Sequence, residues 1–124
     1  MKFVHTNIVA RDWRKLAEFY VAVFGCEMLK PKRDLKGEWL DRLTGLKDAH
    51  IQGAHLRLPG YADGEGPTLE VFQYDASAPA DRPPAINEPG FAHIAFGVED
   101  VVACADTIIG HGGALLGEII KARV

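Results

Sequence analysis

Three residues of this 124-residue chain combine reactive side chains with positions that invite chemistry: His5, Glu70 and His93. Each sits in an otherwise apolar segment, "FVHTNIV", "TLEVFQY" and "FAHIAF". A polar side chain on a buried strand needs a partner, because an unpaired one keeps the full cost of losing its water. Two imidazoles and one carboxylate from separate strands form a donor set that borderline divalent metals accept, and such ligands are often remote in sequence. Taken singly, each residue also has a plainer reading. A histidine beginning a strand is commonly a satisfied polar residue, and a glutamate in a half-buried strand commonly faces solvent.

The elements that position these residues come in two copies. Adding 88 to Phe3, His5, Asp12, Ala17 and Gly25 gives Phe91, His93, Asp100, Ala105 and Gly113, an identity at every one of these positions. "KFVHTNIVA" has near period-two patterning, which predicts a strand with His5 and Asn7 on one face. Asp12 then reads as an N-cap, "WRKLAEFYVAVF" has helical apolar spacing, and Gly25 is a C-terminal stop. "VVACADTII" repeats the helical pattern after Asp100. Two copies of one supersecondary unit put His5 and His93 at equivalent places.

Between the copies, "IQGAHLRLP" and "PTLEVFQY" read as strands of a hairpin, joined by the Gly-, Asp- and Pro-rich "GYADGEGP". Alternation sets Glu70 on the face opposite Leu69 and Val71. His55 lies in the first of these strands; its face depends on a register that the sequence leaves open, so it is not assigned to the site. A further strand is expected near Glu27 to Lys32, giving βαβββ. The basic stretch "KPKRDLK" reads as a solvated loop, "GEWLDRLTGLKDAH" as a loop with a short helical turn, and "DASAPADRPPAINEPG" as a connector. His50 and His111 are expected to be exposed, Glu118 to be an exposed edge residue in a strand after the second helix, and Cys26 and Cys104 to be small buried hydrophobes. The chain is expected to be a single domain over 1–124, with module one at about 1–76, a connector at about 77–89 and a partial module two at about 90–124.

Composition narrows the class of function. The chain is 48% hydrophobic and 25% charged with a net charge of -3, and its pI is near 5.9. That balance describes an ordinary globular protein and gives no electrostatic footprint for nucleic acid or an anionic membrane. The N-terminal segment has no long apolar run, so neither a signal peptide nor a membrane span is expected, and the cytoplasm is the expected location. Two cysteines without a C-x-x-C motif indicate neither a disulfide framework nor a thiolate metal site.

The segments "VHTNIVARDWRKLAEFYVAVFG", "LRLPG" with "LEVFQY", and "GFAHIAFGVEDV" resemble the vicinal oxygen chelate superfamily, which includes glyoxalase I, methylmalonyl-CoA epimerase, extradiol dioxygenases and the bleomycin- and fosfomycin-resistance proteins. The resemblance implies an α+β fold in which paired βαβββ modules form a curved mixed sheet around a central cavity. It implies a divalent metal ion (Zn, Ni, Co, Mn or Fe) held by His5, Glu70 and His93, with Glu70 or the family's final-strand Glu as the catalytic base. The family's fourth ligand, a Glu on the last strand of the second module, has no counterpart in "GEIIKARV", so the second module is expected to be truncated. Positions that hold glutathione in small bacterial glyoxalase I enzymes carry Val9 and Tyr74, which argues against that substrate. The catalytic Glu of the epimerases has no match near Ala54.

The expected function is therefore a metal-dependent lyase or isomerase that abstracts a proton α to a carbonyl through a metal-stabilised enolate. The alternatives are a metal-free antibiotic-binding resistance protein and a ring-cleaving dioxygenase. The expected partners are a small molecule with adjacent oxygens and a second copy in a homodimer, with neither nucleic acid nor membrane.

Overall fold

Residues 1–79 and 81–121 are described by a computed structural model. The chain divides into two compact units, Met1–Pro79 and Ala80–Val124. The first unit begins with β1 (His5–Val9), whose residues alternate between exposed and half-buried. Asp12 ends it as the N-cap of α1 (Trp13–Phe24): its carboxylate accepts from the Lys15 amide at 3.1 Å. Gly25 closes the helix at φ 68, where a β-carbon would be strained and glycine is not. β2 (Glu27–Met28), β3 (Arg33–Lys36), α2 (Glu38–Thr44), β4 (His50–Arg57) and β5 (Thr68–Tyr74) follow.

These strands form an open, curved, mixed sheet in the order β1-β5-β4-β2, with β3 also on β4. β1 runs parallel to β5, and the other pairings are antiparallel. Alternation splits the central strands into two faces. Ala54, Leu56, Leu69 and Val71, each at most 1% exposed, form the core face. α1 lies against β4 and β5, and Gln73, on the same alternation as Leu69 and Val71, accepts from the Trp13 amide at 3.1 Å. Within the first unit, the opposite face is covered at one end, where Leu35, Phe72 and Tyr74 pack on buried Leu40, Ala49 and Ile51.

The basic stretch departs from its expected loop. Arg33–Lys36 is β3, paired with Gly53 to His50 of β4. Glu27 pairs with Arg57 and Arg33 with Gly53, so six steps on this edge span four on β4. The surplus falls around Pro31, which has no N–H to give a ladder. Long-range pairing thus outweighs a locally charged sequence. In the stretch after it, read as a loop with a short helical turn, the helical part is the seven-residue α2, ended by Gly45 at φ 73.

His50 is also more constrained than a turn-side histidine. It opens β4, with Nδ1 2.6 Å from Asp75 Oδ2 and Nε2 2.6 Å from Asp34 Oδ1. A carboxylate only accepts, so both ring nitrogens carry protons when both bonds are made. Hydrogen bonds to Asp34 and then Asp75 accordingly raise its pKa above 6.5.

The second unit contains α3 (Val101–Gly110). Its start repeats that of α1: Asp100 is the N-cap and accepts from the Ala103 amide at 2.9 Å. Ala105, the counterpart of Ala17, is likewise buried. The segment 91–98 differs from expectation, for it forms no strand. In the first unit the equivalent β1 exists by its ladder to β5, and no counterpart of β5 follows α3 among the described residues. The same lack leaves Glu118 outside any strand, although it is exposed as expected, as is His111. Cys26 is buried and Cys104 half-buried.

Candidate functional site

Register brings four polar side chains of the first unit together on the face left open by α1 and α2. Glu70 stands opposite His55 across the β4/β5 ladder and opposite Asn7 across the β1/β5 ladder. His5, two residues before Asn7, projects to the same side. Glu70 is the buried charged residue of the described chain, at 8% exposed. Its Oε2 accepts from Asn7 Nδ2 at 3.2 Å and lies 3.3 Å from His5 Nε2. Its Oε1 lies 3.0 Å from His55 Nε2.

A carboxylate between two imidazoles needs donors, since a bare ring nitrogen beside it would set two lone pairs against each other. His55 is pushed towards the neutral form: burial lowers its pKa, the Glu70 charge opposes this, and Arg33 and His5 add to it. A neutral ring has one protonated nitrogen, and the Nε2–H tautomer is the one compatible with Glu70. Phe72 supports the arrangement, its ring standing edge-on to His55 at 6.0 Å between centroids. Gly53 makes room for that ring, because a β-carbon at position 53 would lie 2.7 Å from Phe72 Cδ1 and run into the Val71 carbonyl.

Of the three sequence-derived site residues, His5 and Glu70 therefore meet. His93 belongs to the second unit, in an exposed segment without ladder partners. His55 and Asn7 complete the cluster. Asn7 was legible as a neighbour of His5 on one strand face. His55 had a signal too, since a hairpin folded evenly about "GYADGEGP" sets it against Phe72, on the same strand face as Glu70, and the actual register shifts the pairing by two residues to Glu70.

The nitrogen and oxygen donors suit the divalent metals that the fold family uses. Two atoms each about 2.0–2.2 Å from a tetrahedral zinc lie roughly 3.3–3.6 Å apart. His5 Nε2 and Glu70 Oε2, at 3.3 Å, match that spacing as a pair. No group of three or more His, Cys, Asp or Glu side chains among the described residues forms a complete metal-holding arrangement.

The model of the Glyoxalase/Bleomycin resistance protein/Dioxygenase superfamily matches residues 2–122. The chain belongs to this superfamily. A solved structure with the same glyoxalase fold, a glyoxalase family protein from Bacillus cereus, superposes with a TM-score of 0.85 at 22% identity, over 99% of this chain and 80% of that one. No curated protein matches the chain. Superfamily membership fixes the fold class without selecting one chemistry, because members share a scaffold rather than a reaction. No helix among the described residues of this glyoxalase-superfamily chain is long and apolar enough to cross a membrane.

Proposed function

We propose that the protein is a metal-dependent enzyme of lyase or isomerase type, acting on a small molecule with adjacent oxygens and moving a proton α to a carbonyl. The observation that carries this reading is the buried Glu70 carboxylate facing His5 on an open sheet face. His5 and Glu70 are the proposed ligands from the first unit. His93 joins them on the strength of its place in the sequence repeat. A divalent ion held by these residues supplies a Lewis acid for the developing oxyanion.

The chain's own part is to place an acid–base group beside the substrate. Glu70 is the proposed proton carrier, held in place by Asn7 at one oxygen and facing His55 at the other. The sheet holds the Glu70 backbone on both sides. The Phe72 ring stands edge-on against one side of His55.

Metal content tests this reading. Mass spectrometry of protein purified without added metal should find close to one transition-metal ion per chain. His5→Ala, Glu70→Ala and His93→Ala should each lose it. A metal-free wild type that also fails to reload would overturn the reading in favour of a second one: a binding protein that holds its ligand without metal. The contacts that already engage both Glu70 oxygens, from Asn7 at one and His55 at the other, favour that alternative.

A homodimer forms part of the same proposal. Large apolar side chains of the second unit stand exposed, among them Phe91, Val102, Leu116 and Ile120, and exposed apolar clusters favour association. Light scattering that returns the 13.6 kDa monomer would refute it.

A further inference from the structure

Arg33 pairs with Gly53 in the β3/β4 ladder, and Gly53 precedes His55 by two residues, so Arg33 lies on the same open face as His55 and Glu70. Leu35 fixes this orientation independently. It packs with Phe72 on the cluster of Leu40, Ala49 and Ile51, and the Phe72 ring touches His55. Arg33 is half-buried, yet it takes part in none of the ion pairs among the described residues.

Arg57 supplies the contrast. It stands on the same face two residues beyond His55, but Glu27 at 2.9 Å and Asp63 at 3.1 Å already neutralise it. A half-buried arginine with no carboxylate partner among the described residues is free to take an anion. Its planar fork fits an oxyanion through two parallel N–H···O bonds, which an ammonium cannot reproduce.

We propose that Arg33 is the anion-binding residue of this face and that the substrate carries a carboxylate next to its reacting oxygens. This rests on the reading of the face as a substrate site. It goes further by assigning the charge of the substrate and the residue that selects for it.

Two four-carbon probes with adjacent oxygens, 2-oxobutyrate and butane-2,3-dione, differ in that charge. Their binding is followed by NMR shift titration of zinc-treated wild type, Arg33→Leu, Arg33→Lys and Arg57→Leu. The wild type should favour the acid by about tenfold or more, the range for a hydrogen bond to a charged group. Arg33→Leu should cut the preference by about tenfold while leaving dione binding unchanged, Arg33→Lys should restore it in part, and Arg57→Leu should keep it. A preference as large in Arg33→Leu as in the wild type, or a wild type without one, overturns the assignment. Zinc uptake is measured on the same samples. A wild type that takes up no zinc but still needs Arg33 to bind the acid would count against the metal-dependent enzyme and for the anion receptor.

Discussion

Gly53→Ala tests whether the open face is built around a missing side chain. The added β-carbon would lie 2.7 Å from Phe72 Cδ1 and 3.1 Å from Phe72 Cα, and would press on the Val71 carbonyl. The ring can turn away, but the last two neighbours belong to the β5 backbone, so β4 and β5 must separate locally. Crowding of this kind costs about 1–3 kcal/mol. Glycine at an ordinary backbone angle gives up some unfolded-chain freedom when replaced, which returns about 0.4–1 kcal/mol. The net expectation is a loss of about 1–2 kcal/mol, or roughly 4–8 °C in Tm. Urea unfolding should show a lower midpoint with an unchanged slope, and the His55 ring resonances should move because Phe72 is displaced beside them. A variant as stable as wild type, with His55 unmoved, would refute the account of this ladder.

Three further outcomes follow from the geometry. His50→Gln should matter most in acid: the raised pKa of His50 means that its stabilisation is complete below about 6.5 and is lost as pH rises through the folded-state value. The Tm gap between wild type and variant, scanned from acid to alkaline pH, should therefore close upwards. Leu56→Ala removes a fully buried side chain and should cost about 2–5 kcal/mol by denaturant unfolding. Asp12→Ala removes the cap bond to Lys15 and should cost about 1 kcal/mol on the same measurement.

Local chemistry made α1 and α3 legible and left the ladders obscure. Asp12, Asp100 and Gly25 act within a turn of their own positions, and each performs the role its type predicts. Glu70 was placed correctly on its strand because alternation is also local. β3 was missed, since nothing within "KPKRDLK" shows that β4 will pair with it. His55 remained unassigned for the same reason: a strand's face acquires meaning only once the register is set. The segment 91–98 is the converse case, having the pattern of β1 without a ladder to realise it.

His5 and Glu70 sit on strands of unequal security. Among the described residues β1 pairs with β5 alone, whereas β5 lies between β1 and β4. Local opening is cheapest at such borders, so amides of residues 5–9 should exchange with deuterium well before those of residues 68–74. Whatever is gripped by both side chains is therefore also a latch: it ties the loosest strand to one of the tightest. Protection of β1 then rises with ligand concentration, and the rim of the sheet reports occupancy before any turnover is measured.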